Sequence, residues 1–155
     1  MKPVVNALMC LRGIDFIAAV AVIAELGDLT RFAHPKALMK YLGLIPSEHS
    51  SGDRIRRGKI TKAGNSHIRH VLVEAVQRAH FSARPGRELL RRWKEVSGPL
   101  RQIALACLKR LHHKFWSLTR RGVSAGKTRV AMARELEGFV WALMTQKKHE
   151  VPAAA

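Results

Sequence analysis

Apolar side chains recur every three or four positions along most of the chain, with polar and charged ones between them. Ile68, Val71, Leu72, Ala75, Val76 and Ala79 repeat as i, i+3, i+4, i+7, the signature of a helix with one buried stripe. Leu100, Ile103, Ala104, Cys107, Leu108, Leu111, Phe115 and Leu118 form a second stripe, with Arg101, Lys109, Arg110, His113 and Lys114 on the other face. Val130, Ala133, Leu136, Val140 and Leu143 form a third. Caps and breakers sharpen the boundaries. Asp15 suits an N-cap and Gly27 a C-cap for an apolar helix over 16–26, and Pro35 suits the first turn of a helix reaching 41. The pattern predicts helices over 4–11, 16–26, 35–41, 87–96, 100–119 and 128–145, and one that opens at Asn65 or Ser66. The expected fold class is mainly α. Residues 1–82 are expected to form the core of one domain, 83–146 its helical extension, and 147–155 a disordered tail.

The helical period fails between Gly43 and Asn65. This stretch holds four of the eleven glycines, three closely spaced serines and five cations, and no acidic residue lies between Arg54 and Arg69. Ile55 and Ile60 are its large apolar residues after Pro46, which fits two short strands or an irregular hairpin turning near Arg57-Gly58. Serine hydroxyls beside Arg and Lys suit phosphate. Arg54, Arg56, Arg57, Lys59 and Lys62 could neutralise a phosphodiester, whereas proton acceptors nearby are limited to Glu48, His49 and Asp53. Arg69 falls in the first turn of the following helix, where a cation opposes the dipole and a phosphate would relieve the conflict.

Charge narrows the partner. The chain carries 28 Lys+Arg against 11 Asp+Glu, a formal +17, which favours a polyanion, nucleic acid before membrane. The apolar run over 16–24 is too short to span a bilayer, the N-terminus does not read as a signal peptide, and the expected location is the cytoplasm. Cys10 and Cys107 read as buried free thiols. Three other signals carry little. Gly126-Lys127-Thr128 lacks the spacing and preceding strand of a phosphate loop. His67 and His70 have no Cys or carboxylate at ligand spacing, so no metal site is expected. Trp93, Trp116 and Trp141 could stack bases, but Trp116 and Trp141 border apolar stripes and are expected to pack in the core. The helix–glycine–helix start resembles a helix-hairpin-helix motif, except that Asp15 replaces its second glycine.

Several runs together carry a family resemblance. They are Leu11-Arg12-Gly13-Ile14, Ala24-Glu25-Leu26-Gly27-Asp28, Arg31-Phe32, Leu42-Gly43-Leu44 with Pro46, Ser51-Gly52, Ile60-Thr61-Lys62-Ala63-Gly64-Asn65, and Ile68-Arg69 with Leu72. Farther on, Val130-Ala131-Met132-Ala133-Arg134-Glu135-Leu136 and Trp141 extend the likeness. The chain resembles the C-terminal transposase domain of the insertion-sequence 110/116/902 family, the DEDD transposases. The resemblance implies a DNA recombinase that works with a structured guide RNA, as a homo-oligomer, away from membranes. It implies a serine nucleophile, matched by Ser51 with Ser50 as fallback. Arg54, Arg56, Arg57, Lys59, Lys62, Asn65 and Arg69 would then hold nucleic acid. The family's acidic metal-binding quartet belongs to an N-terminal RuvC-like domain, which these residues do not contain. The expectation is therefore a domain that is catalytically incomplete alone, with Mg2+ expected only when that domain is present. The rival reading is a non-catalytic DNA- or RNA-binding helical module.

Overall fold

A computed structural model describes residues 2–51 and 54–150, without the side chains at 48–51, 54–57 and 147–150. The described residues form seven α-helices, two 3₁₀ turns and one two-stranded hairpin, as the mainly α expectation requires. In chain order these are α1 (Lys2–Met9), α2 (Phe16–Leu26), a 3₁₀ turn (Leu29–Arg31) and α3 (Pro35–Tyr41). Strands β1 (Pro46–Ser51) and β2 (Arg54–Ile60) follow, then α4 (Ser66–Ala75) running into a second 3₁₀ turn (Val76–His80). The chain ends in α5 (Arg87–Trp93), α6 (Gly98–Arg120) and α7 (Ala125–Glu150).

The caps act as their residue types dictate. The Asp15 carboxylate accepts the Ala18 N–H at 2.8 Å, and Gly27 closes α2 at φ +61°. Pro35 opens α3 behind His34, whose Nδ1 accepts the Ala37 N–H at 3.1 Å. Asn65 caps α4 by accepting the Ile68 N–H at 3.0 Å.

Helix α7 is the axis of the fold, packing against α6, α3, α4 and α1. Met132, Ala133, Leu136, Val140 and Leu143 are buried along it, facing stripes that include Leu100, Ala104, Cys107, Leu108 and Leu111 of α6. Burial of one such leucine side chain contributes ~1.5–3 kcal/mol. The segment around α5 is stapled to the turn after α1. Arg12 donates to the carbonyls of Ser82 and Arg84 at 2.7 and 2.6 Å, and Trp93 Nε1 donates to Cys10 O at 2.9 Å. Both cysteines are buried free thiols, and burial pushes the Cys10 thiol up to about 11.

Several boundaries differ from the pattern-based ones. Helix α1 ends at Met9 because Cys10, Leu11 and Ile14 leave the helix to enter the core. Helix α5 stops at Trp93, the residue that anchors it. Helix α7 begins at Ala125, so Gly126-Lys127-Thr128 lies in its first turn, and the buried Thr128 hydroxyl donates to Val123 O at 3.3 Å. It runs on to Glu150, so residues 147–150 continue the helix, while 151–155 of the expected tail lie outside the described residues. Trp141 packs inward and donates to Phe32 O at 3.0 Å. Trp116 does not enter the core and is 41% exposed. It follows Phe115 directly, and each residue step turns a helix by about 100°, away from the stripe.

Candidate nucleic-acid interface

The β1–β2 hairpin holds the serines and most of the cations singled out in the sequence. It is antiparallel, pairing Ser51 with Arg54, Ser50 with Ile55, His49 with Arg56, Glu48 with Arg57 and Pro46 with Ile60. The pairing closes at Ser51 and Arg54, so the hairpin does not turn at Arg57-Gly58 as expected; those two residues lie within β2. Between the Pro46–Ile60 and Glu48–Arg57 pairs, Gly58 and Lys59 of β2 face the single residue Ser47, so the extra residue of the bulge is on β2. A Cβ on Gly58 would fall 2.4 Å from Ser47 Oγ, so this glycine answers a packing need at the bulge rather than a turn. Gly52 and Asp53 lie outside the described residues.

The base of the hairpin is clamped by backbone. Lys62 N–H donates to Gly43 O at 3.1 Å and Thr61 N–H to Ile45 O at 2.9 Å. Gly43 at φ +64° and Gly64 at φ +78° make the close approach possible. A Cβ on Gly43 would lie 2.2 Å from Ala63 O, and one on Gly64 1.8 Å from Tyr41 O. Ser47 Oγ donates to Lys59 O at 3.0 Å. Lys59 and Lys62 are exposed, and Lys62 holds φ +55°, a left-handed backbone uncommon for a side-chain-bearing residue.

Asn65 and Arg69 stand just behind the clamp and already have partners. Arg69 Nη1 donates to Leu42 O at 2.9 Å and to Ala63 O at 3.3 Å. It thereby satisfies a carbonyl at the end of α3 and ties it to the start of α4. Besides capping α4, Asn65 donates through Nδ2 to Glu25 Oε2 at 2.5 Å, and His67 Nδ1 contacts the other oxygen of Glu25. The Asn65 hydrogen bond, then that of His67, holds the Glu25 carboxyl below its usual range. Glu25, unremarked in the residue pattern, is the link from α2 to the root of the hairpin. Its signal lay only in the Ala24-to-Asp28 run.

The turn between α1 and α2 is closed rather than open. Gly13 sits at φ +92°, and a Cβ there would lie 1.9 Å from Ala75 O, so the turn presses on the end of α4. The Asp15 carboxylate is committed to its cap. Among the described residues no three His, Cys, Asp or Glu side chains gather as a metal seat. None of the described helices is long and apolar enough to cross a membrane.

The family model described as Transposase IS116/IS110/IS902 family matches residues 5–91, from α1 through the hairpin and α4 into α5. The chain belongs to that transposase family. The protein y4qE of Sinorhizobium fredii, which carries a transposase name, is 44% identical over 148 residues, covering 96% of this chain and 38% of y4qE. A protein of Pseudomonas aeruginosa named as a family 20 transposase is 28% identical over 120 residues, 76% of this chain and 36% of its own length. The transposase for insertion sequence element IS1111A of Coxiella burnetii is 28% identical over 136 residues, 88% of this chain and 31% of its own. The chain thus spans roughly a third of the length of the curated relatives it matches. The y4qE likeness takes in α6 and α7, which lie beyond the family-model match. No solved structure matches the chain.

Proposed function

We propose that this chain is the serine-bearing, DNA-gripping part of an insertion-sequence transposase, with Ser51 as nucleophile and Ser50 as fallback. The observation that carries the reading is the family match running through a hairpin whose register sets Ser51 opposite Arg54. Attack by the Ser51 hydroxyl forms an Oγ–P bond while one P–O bond of the DNA strand breaks. Serine gives up its proton, and the departing strand oxygen takes one. The phosphorus stays a diester, so the bond energy is kept and a second strand end can reverse the step. Arg54, Arg56, Arg57, Lys59 and Lys62 would neutralise the phosphates along the strand. Asn65 and Arg69 would act mainly by fixing the root of the hairpin, with the other Arg69 nitrogens turned to phosphate.

The described residues offer no seat for a divalent ion, so any such ion would have to be held by residues outside them. The 155 residues alone should therefore bind DNA without cutting it. Glu48, His49 and Asp53 are the candidate proton acceptors near Ser51 in the chain. The lack of a metal seat among the described residues is also what favours the second reading, a helical module that grips DNA or RNA and does no chemistry. By resemblance, the full reading adds a structured guide RNA, a homo-oligomer and a cytoplasmic location.

The test uses this sequence within a protein of the length of its relatives, with donor DNA and gel detection of covalent protein–DNA adducts. Ser51→Ala should abolish adduct and strand exchange while leaving DNA affinity within a few-fold, and Ser50→Ala should keep both. Adduct persisting in Ser51→Ala removes Ser51 from the role, and no adduct from any form leaves the binding-only reading.

A further inference from the structure

A second feature lies on α6 and the 3₁₀ turn before it, built from residues the hairpin does not use. Phe81 is 55% exposed and Trp116 is 41% exposed, among the most exposed large apolar side chains of the molecule. They are joined by a chain of rings. Phe81 contacts His80 at 4.1 Å between centroids, His80 lies 6.0 Å from Phe115, and Phe115 meets Trp116 edge-on at 5.3 Å and 88°. His112 closes the circuit. Its ring stands 6.4 Å from that of Trp116, and its Nδ1 makes a 2.8 Å hydrogen bond with Phe81 O. The rings are therefore held in place although two of them face water. Fixed rings lose little conformational entropy when a flat partner lands on them.

The surroundings say what kind of partner. His112, His113, Trp116 and Arg120 line a shallow cleft of about 300 Å3. Arg120 Nε donates to Trp116 O at 3.3 Å, which keeps the guanidinium beside the tryptophan. From residue 96 to residue 134 the chain has nine Lys and Arg and no Asp or Glu. Arg110 and Lys114 pair with Glu135, whereas Arg120 lines the cleft and Arg121 follows it in the chain, with no carboxylate within this run to offset them. An apolar protein surface has no use for such a rim, and a duplex hides the faces of its bases. A strand with unpaired bases supplies both flat apolar faces and a phosphate chain.

We infer that Phe81 and Trp116 form a stacking platform for unpaired DNA bases, with Arg120 placed for the adjoining phosphate. DNA is the occupant because a transposase must open strands to exchange them; in that respect alone the inference rests on the proposed function, and it is independent of Ser51.

The test measures binding of the full chain to fluorescein-labelled oligo-dT, to its duplex with oligo-dA, and to oligo-U, at one salt concentration. Trp116→Ala and Phe81→Ala should each weaken oligo-dT binding about 5- to 150-fold, the equivalent of ~1–3 kcal/mol per stacked base. Duplex binding should change less than about twofold, and Trp116→Phe should retain most of the affinity, since a ring remains. Thermal midpoints should match wild type, because both residues are exposed. Unchanged oligo-dT binding in both alanine variants overturns the platform, as does an equal loss on the duplex. Oligo-U binding tighter than oligo-dT through the same two residues overturns DNA as the occupant. A wild-type chain that binds none of the three removes the DNA reading itself, whereas wild-type binding with unaffected variants removes only this inference.

Discussion

The β1–β2 hairpin and helix α7 are held by opposite means. Helix α7 is surrounded by α1, α3, α4 and α6 and buries Met132, Ala133, Leu136, Val140 and Leu143. The hairpin pairs chiefly with itself and is joined to the body at its base, where Gly43 and Gly64 let the backbone cross. One element supplies stability by excluding water. The other can carry a dense set of cations because it meets the core only at its base, through Ile60, and an unpaired charge is costly in the core. A substitution should therefore act on folding in α7 and on nucleic acid in the hairpin, and each can be made to fail.

The largest effect expected is on folding. Leu136 is fully buried, and Leu136→Ala should cost ~2–5 kcal/mol of unfolding free energy, read from urea denaturation. The matching change in the hairpin replaces Arg54, Arg56, Arg57 and Lys59 with Gln together. It should leave the urea midpoint nearly unmoved and flatten the dependence of DNA affinity on salt, by about 0.9 for each phosphate the protein no longer neutralises. A hairpin variant that unfolds, or an unchanged salt slope, would break the division of labour between the two elements.

Glu137 is the exception within α7. It is fully buried, neither of its carboxylate oxygens has a hydrogen-bond partner, and Arg134 Nε is unpartnered as well. Burial pushes the Glu137 carboxyl up to about 8, against the attraction of Arg134. The folded state therefore binds this proton more tightly than the unfolded chain, whose carboxyl titrates near 4.5. The stability that depends on it is fully present below about pH 4.5 and is lost as pH rises toward 8. Glu137→Gln should remove that fall. Near neutral pH and above it should be more stable than wild type by ~1–3 kcal/mol, with little difference at about pH 4. Parallel pH profiles for the two proteins would mean that Glu137 has a partner in solution.

Local signals carried much of the fold. Asp15 and Gly27 gave α2 its observed limits, and Pro35 gave α3 its own, because caps and breakers act within a turn of where they stand. The hairpin was legible as a hairpin, but its turn was not, since Gly58 looked like a turn residue and serves the contact with Ser47 instead. Glu137 lies between Ala133 and Val140 on the apolar face, where a carboxylate contradicts the pattern; only the packing reveals that it is buried regardless. The partners of Asn65 and Arg69 come from residues as distant as Glu25 and Leu42, and no local rule reaches that far. The same holds for the ring circuit from Phe81 to Trp116.

The smallest effect tests the other glycine turn of the molecule. The turn between α1 and α2 resembles a phosphate-binding hairpin, with a carboxylate at Asp15 where a glycine would stand. If that charge were what kept phosphate away, removing it should strengthen DNA binding. The geometry argues otherwise, because Gly13 is pressed against the Ala75 carbonyl and the Asp15 side chain is occupied by the Ala18 N–H. Asn caps a helix about as well as Asp. Asp15→Asn should therefore shift stability by only a few tenths of a kcal/mol and change duplex affinity less than about twofold. Asp15→Ala, which removes the cap itself, should cost ~0.5–2 kcal/mol, again with little change in affinity. A clear gain in DNA binding for the Asn variant would mean that this turn also meets the backbone of the nucleic acid, and that the hairpin does not grip it alone.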